Sequence, residues 1–237
     1  MATRRSRYWR FASPSTLILA LLLFPLPWIE MHCSDARSPT VLTRVGVPEE
    51  LAKTIMPRET VAVMMSQSGW QAARGVFSRD PEWDKKLQKQ KASDREGDQK
   101  DAQWWERFER EMSAAMQASW IMVAYPIAMM ASVVSGVVMR LGRRRTIFLA
   151  FLILLALSLV GLQHVCEFPL VLAYRSLAWE RLEEIVPTPE ALEDDVRQHF
   201  RYTHWFWLSQ SLTATSLCLV LAERWLKSRS VDVAWRD

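Results

Sequence analysis

Charged and apolar residues are segregated into blocks along this chain. Four stretches, Phe11–Ile29, Ser119–Met139, Thr146–Val165 and His204–Ala222, contain no Lys, Arg, Asp or Glu. Each has the roughly 17 to 25 mostly apolar residues that a helix needs to cross a bilayer core of about 30 Å, where no water satisfies exposed backbone groups. The pattern therefore predicts four transmembrane helices. The connection from 140 to 145 leaves room only for a tight turn, which pairs the second and third helices as an antiparallel hairpin. In the second helix Ala128, Ser132, Ser135 and Gly136 recur at helical spacing, small enough to admit close backbone approach, and in the fourth Ser209, Thr213 and Ser216 line one face.

The segments between the helices differ in character. Residues 30–118 form a long first connection. Within it, 30–79 read as a small α/β cap, with a strand at Val41–Val47, a helix at Pro48–Met56, a second strand at Val61–Met65 and a turn at Ser68-Gly69. Residues 80–101 carry many charges and few apolar groups, and are expected as a solvated helix or linker. From 102 to 118 Trp104, Phe108, Met112 and Met116 step by four along one helical face, predicting an amphipathic helix that runs on into the second membrane segment. In the connection from 166 to 203, Ser176–Val186 reads as another amphipathic helix. Thr188-Pro189-Glu190 then marks a new helix start leading toward the fourth membrane segment.

The chain has 237 residues, with 30 Lys+Arg against 26 Asp+Glu. The small net charge of +4 matters less than its placement. Arg4, Arg5, Arg7 and Arg10 precede the first helix, Arg140, Arg143, Arg144 and Arg145 fill the short turn, and Arg224, Lys227, Arg229 and Arg236 lie in the tail at 223–237. Cytoplasmic flanks collect Lys and Arg, so these three regions belong on one side, with both termini cytoplasmic and the cell (inner) membrane as the expected location. Residues 166–203 hold eight carboxylates against four Arg and fall on the opposite side. Trp28, Trp120, Trp205 and Trp207 mark the outer boundary, Trp9 and Trp225 the inner one. A cleavable signal peptide is the alternative for the first segment; retention is favoured, because Trp28 and Glu30 separate the weak Ser34-Asp35-Ala36 site from the apolar run. Basic residues spread over three membrane flanks do not form a nucleic-acid-binding face.

Candidate chemistry gathers at the outer rim. Cys33 and Cys166 each follow a membrane segment and are expected on the same side, where an oxidising compartment favours a disulfide. Cys218, inside the fourth helix, is expected to act as a small packing residue. All four histidines also fall near the rim, and His32, His164 and His204, with or without a thiolate, offer an alternative metal or redox site. Trp70, Trp104 and Phe108 are candidate partner contacts. No catalytic motif, cofactor motif or small-molecule substrate is recognisable, so the chain is expected not to be an enzyme.

Pro27-Trp28-Ile29-Glu30-Met31-His32-Cys33 and Gln67-Ser68-Gly69-Trp70-Gln71-Ala72-Ala73-Arg74-Gly75 resemble two signatures of uncharacterised bacterial membrane proteins of the planctomycete type. Those proteins pair a Pro-Trp exit from the first helix, followed by Glu-x-x-Cys, with a Gln-Ser-Gly-x-Gln outer loop. The resemblance implies a multi-pass envelope protein and supplies no catalytic residue. The layout is also similar to that of claudin-like tetraspan proteins, but Trp70 is not followed by their Cys pair. Together these features lead to an all-α, four-span membrane protein with a small extracytoplasmic α/β cap. Its expected role is a scaffold or accessory subunit that binds other membrane proteins or copies of itself. The rival readings are the rim metal or redox module and an oligomeric channel lined by the Ser/Thr face and Gln210.

Overall fold

In a computed structural model of the chain, residues 2–34, 61–139, 143–182 and 189–234 are described. The molecule is mostly helical, with a small antiparallel sheet at one end. Helix α1 (Ala2–Leu22) leads through a short turn into β1 (Pro27–Ser34). Strand β2 (Val61–Ser68), helix α2 (Gly69–Arg74) and strand β3 (Ser78–Arg79) come next, then helices α3 (Pro81–Lys91) and α4 (Glu96–Ala115). The long helices α5 (Trp120–Val138) and α6 (Arg143–Val165) precede α7 (Pro169–Leu182), α8 (Pro189–His199), β4 (Phe200–Tyr202) and α9 (His204–Ala234). The expected strand at Val41–Val47 and helix at Pro48–Met56 lie outside the described residues.

Three helical stretches are long and apolar enough to cross a membrane: Trp120–Val138, Arg144–Ala178 and His204–Leu226. The first expected span differs. Its apolar helical part is only Phe11–Leu22. Pro25 and Pro27 lack backbone donors and push the residues before them toward extended conformations, so the chain leaves the helix through tight turns at Leu23–Leu26. Trp28 and Ile29, counted as membrane helix by apolarity alone, are instead the opening residues of a strand.

Even so, α1 packs with the others. It contacts α5 and α9, and α6 contacts α5 and α9, which closes a four-helix ring with the sheet at one end. Close approach depends on the small residues read from the sequence. A Cβ on Gly136 of α5 would stand 2.9 Å from the Pro14 ring of α1. Ala128 and Ser132 are buried on the same helix. The hydroxyl face of α9 is wholly buried: Ser216 Oγ lies 2.6 Å from Ser13 Oγ, Ser209 donates to Ala20 O at 3.2 Å, and Tyr125 OH lies 3.3 Å from Ser209 Oγ. Those hydroxyls join α9 to α1 and α5. At the far end buried Arg145 donates to Gly136 O at 2.8 Å and faces Glu223 of α9 at 3.6 Å.

The sheet has the order β3-β2-β1-β4, all antiparallel. It draws β4 from the second connection, a strand with little signal in the sequence because Phe200-Arg201-Tyr202 is short and follows directly on a helix. The charged stretch 80–101 is helical, with Asp80 accepting from the Glu82 and Trp83 amides and Pro81 opening α3. Trp83 and Leu87, one turn apart, are buried, and Trp83 meets Trp105 of α4 edge to face at 5.5 Å. Helix α4 starts earlier than expected and does not run into α5. Met116 is extended, residues 116–119 lie outside both helices, and Ser119 caps α5 by accepting from the Met122 amide.

Gly75 ends α2 in the left-handed region, φ 65°, where a side chain is strained, and a Cβ there would lie 2.8 Å from Ala118 N and 2.9 Å from Gln117 C. Backbone strain and overpacking at one point should make Gly75→Ala cost about 2 to 4 kcal/mol. Thermal unfolding in detergent measures the loss; an unchanged midpoint would mean that the α2–α5 contact does not form.

Candidate functional site

The sheet meets the four-helix ring at the ends of α1, α5, α6 and α9, and most of the residues singled out by the sequence lie at or near this junction. Its centre is Trp28, fully buried, which donates through Nε1 to Leu23 O at 2.9 Å. The indole is ringed by Phe24 at 5.3 Å, Phe206 at 5.5 Å, Tyr125 at 5.7 Å and Phe168 at 6.5 Å, in edge-to-face arrangements. Such packing favours the ring quadrupoles and adds to the area that the rings bury. Thr203, the residue before α9, donates its amide to Trp28 O at 2.9 Å and its hydroxyl to Pro27 O.

The Gln67–Gly75 motif brackets this junction. Gln67 is fully buried and donates to Val76 O at 2.9 Å, while its Oε1 accepts the Leu170 amide in the first turn of α7 at 3.2 Å. Ser68 and Gln71 form a reciprocal capping box on α2. Gly69 lies against Phe24, where a Cβ would come within 2.4 Å of the ring. The Ser119 amide donates to Ala72 O at 2.9 Å. Gln67 enters the sequence reading only as part of a signature; its role, binding two separate backbones from a buried position, depends on partners distant in sequence.

On α6, Ser119 Oγ donates to Gln163 Oε1, and Gln163 Nε2 donates to Glu167 O at 2.5 Å. Glu167 adopts φ 60° just past the end of α6, which turns the chain into α7. Its carboxylate is held by Arg175, which also binds Glu193 at 2.9 Å. A cavity of about 370 Å³ opens beside this turn, lined by Ala118, Ser119, Gln163, Cys166, Glu167 and Leu172 among others.

Cys166 is a free, exposed thiol, so the expected Cys33–Cys166 disulfide is not found. The strand explains why: β1 leaves the junction at Trp28 and Ile29, and four further residues at about 3.3 Å each carry Cys33 roughly 13 Å along the sheet. Cys218 is likewise free and exposed on α9, not a buried packing residue. The histidines sit in different surroundings. His164 lies among Tyr202, Phe206 and Trp207, with Tyr202 at 4.8 Å; His204 packs on Trp205 at 4.2 Å; His32 lies 3.5 Å from Glu30. Among the described residues no three His, Cys, Asp or Glu side chains are placed to hold a metal ion.

Burial sets the electrostatics here. It raises the Glu30 carboxyl, opposed by the charge of His204, and lowers His32, helped by Arg201. Tyr202 is pushed up to about 12 by burial, with a contribution from Glu167. Between β3, α3 and α4 Arg79 bridges Asp84 at 2.5 Å and Glu109, and hydrogen bonding to Glu109 raises the guanidinium further.

Of the three expected partner contacts, Phe108 is buried, against Tyr174 at 6.1 Å, whereas Trp70 and Trp104 are about half exposed. Trp104 stacks on Phe108 at 5.4 Å with 7° between the planes. The chain matches no protein family, no curated protein and no solved structure.

Two outcomes test this geometry. Gln67→Leu strands the Val76 carbonyl and the Leu170 amide and should lower stability by about 2 to 4 kcal/mol, read by denaturation in detergent. Cys166 should react with a maleimide in the unreduced native protein at the rate of an exposed thiol; protection that disappears on adding reductant would instead indicate a bridge.

Proposed function

We propose that this chain is a four-span membrane protein that acts by binding other membrane proteins, as an envelope scaffold or accessory subunit. On this reading α1 is the fourth span, completed by its place in the helix ring rather than by its own length. Arg143, Arg144 and Arg145 open α6 at the ring end opposite the sheet, which favours a cytoplasmic location for that end and for both termini, with the sheet and α2–α4 outside. The suggested kinship with planctomycete-type envelope proteins fits that layout.

The observation that carries the reading is Trp104, half exposed and stacked flat on buried Phe108 on the outer module. A tryptophan already fixed in one rotamer loses little entropy when a partner covers it, the property of an interface anchor. The hydroxyls of Ser209, Thr213 and Ser216 are buried against α1 and α5 within one chain, which favours this reading over a channel lumen.

Trp104→Ala removes the exposed ring and leaves Phe108 in place. Purification in mild detergent should return partner proteins with the native chain and lose them with the variant, a weakening of about thirtyfold or more if Trp104 is a hot spot. A native chain that elutes alone and as a monomer would refute the scaffold role.

A further inference from the structure

Within the nine-residue motif Gln67–Gly75 nearly every residue serves the fold itself. Gln67 latches, Ser68 and Gln71 cap, Gly69 admits Phe24, Ala72 receives α5 and Gly75 ends the helix. Only Trp70 and Arg74 are exposed, and at a spacing of four they share a face of α2. Among the described residues Trp70 makes no ring contact of the kind that orders Trp104. A large aromatic and a cation set side by side on a surface need a further explanation.

Their level in the molecule supplies it. Helix α2 is fastened to the first residues of α5 by Ser119 N to Ala72 O at 2.9 Å, and Gly69 touches Phe24 just past the end of α1. Trp120, 68% exposed, opens α5, and Trp207, 54% exposed, lies in the first turn of α9, whose entry is bonded to Trp28. Three exposed indoles from α2, α5 and α9 therefore lie at the shared end of the helix ring. One turn further along α5 the exposed face becomes wholly aliphatic, with Val123, Ile127, Met130 and Val134.

The geometry points to α2 as a membrane-surface foot, with Trp70 seated in the lipid headgroup layer and Arg74 directed to lipid phosphate. Indoles favour that zone because the ring prefers the apolar side and the N–H stays wet, and an arginine beside one adds attraction to the phosphates. This assigns Trp70 to lipid rather than to a protein partner. It fixes the depth of the outer module, since α2 joins the sheet to α5 without slack. The assignment rests on the ring crossing a bilayer, and the experiment separates the two claims.

In a chain with Cys33, Cys166 and Cys218 replaced by Ser, single cysteines at Trp70→Cys, Ile127→Cys and Lys89→Cys carry a nitroxide. The proteins are reconstituted in phosphatidylethanolamine–phosphatidylglycerol vesicles, and collision rates are measured with oxygen and with a water-soluble nickel chelate. Position 127 should report the hydrocarbon core and position 89 bulk water. Position 70 should be about threefold less accessible to the chelate than 89 while remaining accessible to oxygen, at a depth near the phosphates. Arg74→Cys carries the same label if Trp70→Cys does not fold. A label at 70 as wet as at 89, with 127 in hydrocarbon, overturns the foot and leaves the spans standing. A label at 70 reached by neither reagent means that protein covers it, which also overturns the foot. A wet label at 127 removes the membrane reading itself.

Discussion

The helix ring faces outward with aliphatic side chains and inward with hydroxyls. In lipid, apolar side chains gain nothing by turning toward one another, so the ring depends on what remains: close packing and internal hydrogen bonds. Gly136 against Pro14 supplies the first, and the Ser13, Tyr125, Ser209, Thr213 and Ser216 seam supplies the second. Pro14 contributes twice. It presents a flat ring for Gly136, and it stands beside Ser13, whose carbonyl accepts from both Thr16 and Ser216. Helix α1, too short in apolar length to qualify alone, is the element most dependent on this seam.

The sheet is secured by a different principle. The junction is held by aromatic burial around Trp28 together with the Gln67 latch. Backbone groups freed where α1, α6 and α7 begin or end find partners in Trp28 Nε1, Gln163 and Gln67. Among the described residues no group of metal-ligating side chains forms at this rim, and no disulfide is found. Strand β1 holds His32 and Cys33 in extended chain, because pairing with β2 and β4 requires it there.

Much of this is legible in the residues alone. Three membrane-length helices follow from charge-free length, and the Gly136 and Ser209–Ser216 faces from residue size and spacing. The helix start at Pro189 follows from its proline and the acidic Glu190 in the first turn. What escapes is decided by partners distant in sequence. Strand β4 exists because β1 offers it an edge some 170 residues earlier, and α3 is a packed helix rather than a linker because Trp83 and Leu87 find Trp105 and its neighbours on α4. The first span is overdrawn for a local reason: apolarity counts Pro25 and Pro27 toward a helix, although neither has an amide to donate. Trp70, Trp104 and Phe108 are equal candidates by composition, and only their burial separates one core ring from two surface ones.

The inner pair of strands has a mechanical consequence. Strand β1 follows α1 after a four-residue turn, β4 precedes α9 with only Thr203 between them, and the two strands pair at Ile29–Met31 with Phe200–Tyr202. There is no linker to absorb relative movement. A change in tilt between the first and last helices, such as a thinner or thicker bilayer imposes, is therefore passed as shear straight into that ladder. The sheet thus forms the short arm of a lever whose long arm is the helix ring.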